Sequence, residues 1–118
     1  MRYMLLLYSA PGTGPADGSP EQAAEMSQWF AYSQSLVDAG VMIGGEPLHP
    51  VETATTVRLR NGEVACTDGP FAETKELLGG YYIIDVPDLD AAVSWAAKVP
   101  LAPYGSVEVR PVMELPAS

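Results

Sequence analysis

Ten consecutive residues, TDGPFAETKE from Thr67 to Glu76, gather three acids, two threonines and a lysine around a Gly-Pro corner. Asp68 stands between a strand end and Gly69-Pro70. There it can act as an acid, a base or a ligand anchor, or bond its own downstream amides in an Asx-turn. Thr74 and Lys75 are placed to line a pocket mouth and hold a polar or anionic ligand. The plainer reading is a solvated loop in which Lys75 pairs with a neighbouring acid, for about 0–1 kcal/mol. Phe71 reads as a ligand platform or as a loop anchor packed on the core. His49, the single histidine, carries the one side chain whose ordinary charge change falls near neutral pH, which suits a proton shuttle. A loop histidine can equally be an exposed side chain. Cys66, the single cysteine, has no neighbouring cation in sequence to activate it and is expected to be a packed, inert thiol.

These residues need a frame. Tyr3 to Tyr8 is continuous and apolar, as in a central strand covered on both faces. APGTGPADGSP is loop chemistry. Ser19-Pro20-Glu21-Gln22 then predicts a helix start, with Ser19 as cap, Pro20 in the first helical position and Gln22 completing a capping box. Ala23, Met26, Phe30, Ser33 and Val37, with Trp29 and Leu36 beside them, form its expected inner face, and Gly40 ends it. VMIGGEPL is a short extended piece. Thr55–Arg60 alternates, and Asn61-Gly62 is the strongest short hairpin signal, so EVACT returns as the partner strand. LGGYYIIDV reads as another buried strand. Asp88 can cap a second helix with Leu89, Ala92, Val93, Ala96 and Val99 inside. SVEVRPVMEL alternates, and Pro111 puts it at an edge or a bulge. The order is β-α-β-hairpin-β-α-β. Two helices returning to one mostly antiparallel sheet predict an α+β, ferredoxin-like sandwich. The helix-free face carries Tyr81 or Tyr82 with Val and Met positions, and a homodimer closing two sheets face to face would bury it.

Length and composition bound the rest. The 118 residues fit one domain, and 47% are hydrophobic. No run of about 18 apolar residues occurs, so no membrane partner or span is expected. The short apolar run of MRYMLLLYSA fits a first strand better than a secretion signal. A net charge of −9 with six scattered basic residues argues against nucleic acid, whose phosphates need clustered cations. One cysteine permits no internal disulfide and no Cys₂-type zinc site. No metal or cofactor is expected, and a reducing, cytoplasmic location is the simplest one. There is no phosphate loop, nucleophile triad or haem-ligand arrangement.

The segment CTDGPFAETKELLGGYYIIDV resembles the DGPF group of YCII-related proteins, and GGEPLHPVETATTVR and GSVEVRPVMEL are similar to the same family. The resemblance covers the whole chain. It implies a ferredoxin-like domain forming a dimeric α/β barrel, often encoded beside extracytoplasmic-function sigma factors, and so a protein partner in a sigma-factor system. Related proteins have an enzyme-like pocket with a histidine and an aspartate. The matching helix position, three turns before Gly40, holds Trp29, which cannot be a general base but can line a ligand pocket; His49 would have to substitute. Two functions stand side by side: a small dimeric enzyme using Asp68 on a small polar molecule, and a non-enzymatic binding or regulatory module.

Overall fold

The computed structural model describes residues 1–116. Six strands and two helices follow the expected order: β1 Arg2–Ser9, α1 Pro20–Asp38, β2 Met42–Pro47, β3 Thr55–Arg60, β4 Glu63–Asp68, β5 Leu77–Asp85, α2 Leu89–Ala96 and β6 Ser106–Pro111. A single helical turn at Val51–Thr53 precedes β3. The main sheet has the order β2-β5-β1-β6, with every pairing antiparallel. This is the ferredoxin-like arrangement, with the apolar β1 second from the edge and Pro111-bearing β6 at the edge, where a missing donor costs no ladder bond. β3 and β4 form a separate two-stranded sheet.

Local chemistry explains the element ends. The Ser19 hydroxyl accepts the Gln22 N–H at 3.1 Å. The Gln22 side chain completes the cap one residue earlier than a standard box, accepting from the Gly18 N–H at 2.7 Å. Asp88 accepts from the Ala91 N–H at 2.9 Å and starts α2. Asn61 and Gly62 have φ of 52° and 77°, the pair of positive values that a type I′ turn requires.

The core lies between the sheet and the helices. Tyr3, Leu5 and Leu7 alternate inward from β1, Tyr82 and Ile84 from β5, and meet Tyr32 and Leu36 of α1 with Ala92 and Ala96 of α2. Tyr32 meets Tyr82 edge-on at 5.4 Å between ring centroids. Helix α1 is rotated from its expected face, whereas α2 buries the expected Ala92 and Ala96, with Val99 just beyond it. In α1 the buried residues are Tyr32 and Leu36, while Met26, Phe30 and Val37 are exposed. In α2, Leu89 and Val93 are exposed. Apolar residues lie on two sides of α1, so sequence periodicity cannot pick the inner one, and the tyrosines decide because their hydroxyls find partners inside. Tyr32 donates to the Trp95 carbonyl at 2.9 Å, and Tyr82 bonds Ser33 at 2.8 Å.

On the helix-free side of the sheet, Met4, Leu6 and Tyr8 alternate with the buried set and pair with Ile83, Tyr81 and Leu78. Tyr81 therefore belongs to this open face and Tyr82 to the core. Val107 and Val109 pack on the core side instead of the expected open face. Gly79 is the extra residue of a bulge between the pairs Leu7–Gly80 and Tyr8–Leu78.

Candidate functional site

Two concavities lie at the same end of the sheet. The first, about 390 Å³, runs between α1 and the β2–β5 edge, lined by Met26, Trp29, Phe30 and Ser33 of α1, with Met42, Gly45, Tyr82 and Leu101 among its other walls. It is predominantly apolar. The Trp29 indole N–H donates to Glu25 at 3.0 Å, and the same Glu25 oxygen accepts the Tyr104 hydroxyl at 2.7 Å. Trp29 thus offers its ring, not a polar atom, to the cleft.

Burial drives the Tyr104 phenol well above the ordinary tyrosine range, helped by the bond to Glu25 and its charge; burial does the same to Tyr32, with the Tyr82 phenol adding to it. A raised folded-state pKa means that the neutral phenol is the form the fold favours, and this contribution to stability is complete below the ordinary value of 10.0. It is lost as the pH climbs from there through the folded values. The urea midpoint should hold steady up to about pH 10 and then fall, with phenolate absorbance from the buried tyrosines appearing together with unfolding.

The second concavity, about 610 Å³, opens at the base of the hairpin. Its walls are Tyr8 of β1, the Leu48–Val51 turn with His49, Thr53 to Thr56, Pro70 to Ala72, Thr74, and Leu77 and Leu78 of β5. The Leu48 N–H to Gly79 carbonyl bond, 2.9 Å, fastens the histidine loop to the bulge in β5. Opposite it the DGPF loop is tied down twice. The Gly69 N–H donates to the Ala54 carbonyl at 2.7 Å, and the Thr56 hydroxyl donates to the Gly69 carbonyl at 2.8 Å. Gly69 has a φ of 93°, which a residue with a side chain rarely adopts.

Of the residues singled out in the sequence, His49, Phe71 and Thr74 meet in this second cleft, and Trp29 lies in the first. Asp68 does not line either. It pairs across the hairpin with Thr55, a lining residue, and is exposed. Its carboxylate makes no hydrogen bond among the described residues, so backbone bonds, and not an Asx-turn, shape the corner. Phe71 is 78% exposed and is not anchored in the core. Lys75 forms no ion pair among the described residues. The Thr74 hydroxyl donates to the Glu76 carbonyl, and the Glu76 carboxylate accepts the Ser106 hydroxyl at 2.6 Å. Glu76 is therefore a strut from the loop to β6. Cys66 is exposed on β4, contrary to the expected packed thiol. Tyr8, Thr53, Thr55 and Thr56 are lining residues that the sequence does not announce, because they converge only when the end of β1 meets the hairpin base. Among the described residues, no three His, Cys, Asp or Glu side chains form a metal-holding cluster.

The architecture defines a ferredoxin-like α+β protein with helices on one sheet face and an inserted β-hairpin. The YCII-related domain matches residues 1–116, and the chain belongs to that family. An uncharacterized protein of Rhizobium meliloti (strain 1021) is 38% identical over 114 residues, covering 95% of this chain and 92% of the relative. Among solved structures, 5-chloro-2-hydroxyhydroquinone dehydrochlorinase (TftG) of Burkholderia phenoliruptrix, in complex with 2,5-dihydroxybenzoquinone, is similar in fold. Its TM-score is 0.55 at 16% identity, over 96% of this chain and 94% of that one. Among the described residues, no helix is long and apolar enough to cross a membrane.

Proposed function

We propose that this one-domain, cytoplasmic member of the YCII-related family is a small-molecule enzyme whose proton-transfer centre is the His49 cleft. The observation that carries the reading is that the single imidazole, His49, lines one cleft of about 610 Å³ together with Tyr8, Phe71 and Thr74. Such a mix of apolar wall and a few polar groups suits a small ring or keto compound. His49 moves the proton, the hydroxyls orient substrate oxygens, and Phe71 with Pro50 and Pro70 supplies the wall. Asp68 and Lys75 act from beside the lining, as a carboxylate and a cation within the same loop system. The fold neighbour's hydroxylated quinone ligand supports this substrate class by analogy.

Calorimetric titration with 2,5-dihydroxybenzoquinone and a panel of related hydroxylated rings and ketones tests the reading. Binding by the wild type that weakens at least about tenfold in His49→Asn is expected. Absence of binding across the panel, or binding indifferent to His49→Asn, overturns it. A second reading, a protein-binding module in a sigma-factor system, is favoured by the exposed apolar side chains of the hairpin. A stable complex with a protein other than a second copy, unaffected by His49→Asn, would distinguish it.

A further inference from the structure

Helix α1 carries two sets of apolar residues, and the core takes one of them, Tyr32 and Leu36. The other set has a different use. Met26, Trp29, Phe30 and Ser33 stand at i, i+3, i+4 and i+7, which is one stripe of an α-helix, and all four line the first cleft. The core leaves much of this stripe open: Met26 is 50% and Phe30 70% exposed.

Its polar groups are few and particular. The Ser33 and Tyr82 hydroxyls share one hydrogen bond of 2.8 Å and bond no other group among the described residues. Two hydroxyls hold two protons and that bond uses one, so one proton is left to donate whichever way the pair points. The Trp29 N–H is already taken by Glu25, and the indole offers only its ring. Among the described residues Glu46 is the one charged member of the lining, and α1 has no basic residue.

These features select a class of ligand. A volume of about 390 Å³ lies at the small end of ligand pockets and suits a single ring. The Trp29 and Phe30 rings, with the Met26 and Met42 thioethers, favour an aromatic one. The spare hydroxyl proton calls for an acceptor oxygen, which an ammonium or guanidinium group cannot supply. A carboxylate would lose its water in an apolar cleft whose charged residue is acidic, in a protein of net charge −9. We infer that the first cleft is a binding site for an uncharged aromatic compound bearing a carbonyl or hydroxyl oxygen. The ring lies against Trp29 and Phe30, and the oxygen meets the Ser33–Tyr82 pair. The site goes beyond the His49 assignment and does not rest on it, for the two clefts share no lining residue.

Acetophenone, benzoate and ethylbenzene are similar in size and differ in the group on the ring, so they serve as probes. The chain has two tryptophans, and the two indole N–H signals of isotope-labelled protein are assigned with Trp29→Phe. Trp95, on α2 and outside the lining, is the internal control. Acetophenone is expected to shift the Trp29 signal saturably, with a Kd below about 1 mM, and to leave Trp95 in place. Ethylbenzene should bind at least about threefold more weakly and benzoate at least about tenfold. Phe30→Ala should weaken acetophenone and ethylbenzene alike, by about fivefold or more. Ser33→Ala combined with Tyr82→Phe removes both partners of one bond and strands neither. That double variant should bind ethylbenzene as the wild type does and no longer prefer acetophenone.

No saturable Trp29 shift up to about 10 mM acetophenone overturns the site. So does benzoate binding as tightly as acetophenone, or a preference for acetophenone that survives in the double variant. The three probes on the wild type decide the matter even if the double variant does not fold. His49→Asn should leave the Trp29 titration unchanged. Binding that weakens in His49→Asn and moves no indole signal belongs to the other cleft, and it overturns this site while the His49 assignment stands.

Discussion

Leu36→Ala is expected to destabilise the protein by about 2–5 kcal/mol, the range for removing a buried leucine side chain and leaving a cavity. Leu36 is fully buried, in the cluster of Leu5, Tyr32 and Ile84. The helix has few such anchors: in its 19 residues only Tyr32 and Leu36 are buried. A cavity there cannot collapse easily, because the opposite wall is the hydrogen-bonded sheet. Each kcal/mol should lower the melting temperature by about 4 °C. Phe30→Ala, one and a half turns away, is the informative comparison. Phe30 is larger but 70% exposed, and its loss should fall within about 0.5 kcal/mol. Urea denaturation followed by circular dichroism checks both; equal costs would show that the buried face of α1 is misassigned.

The second large effect is expected from Gly105→Ala. An added methyl group at Gly105 would run into the carbonyl oxygen of Tyr8 and lie 3.0 Å from a Leu101 methyl. Neither side can yield cheaply. Tyr8 is paired with Ser106 in the ladder, and the Gly105 N–H already bonds the Leu101 carbonyl at 2.7 Å. Relief therefore requires the start of β6 to separate from the end of β1, at a cost of about 1–3 kcal/mol. Because Tyr8 lines the cleft and Ser106 holds Glu76, the damage should extend to ligand binding as well as to melting. Gly44→Ala serves as the control: nothing lies near its added methyl, and a change within about 0.5 kcal/mol is expected.

Much of the fold and less of the site is legible in the sequence, for physical reasons visible in particular residues. Element order and ends are written locally, in the Ser19 and Asp88 caps, the Asn61-Gly62 turn and the left-handed Gly40. Which face of a helix turns inward is a tertiary matter. Met26, Phe30 and Val37 are as apolar as the buried set, and only the Tyr32 and Tyr82 hydroxyls, meeting Trp95 and Ser33, settle the rotation. His49, Phe71 and Thr74 share a cleft because the loops on either side of the hairpin close on its base, a proximity over more than 20 positions that no local pattern encodes. The acidic motif looked like a reactive cluster, but its members have divided tasks. Glu76 is a strut, Gly69 turns the chain, and Asp68 is left exposed beside the cleft wall.

Glu25 gives the first cleft a property of its own. One carboxylate oxygen holds Trp29, on the near wall, and Tyr104, three residues beyond Leu101 on the far wall. The two sides are buckled together at a single atom. Widening the cleft would require breaking a bond to a charged acceptor in a half-buried place, a costlier loss than a neutral surface bond. The two walls are therefore tied at one point, and the width of the opening is coupled to the bonds at Glu25.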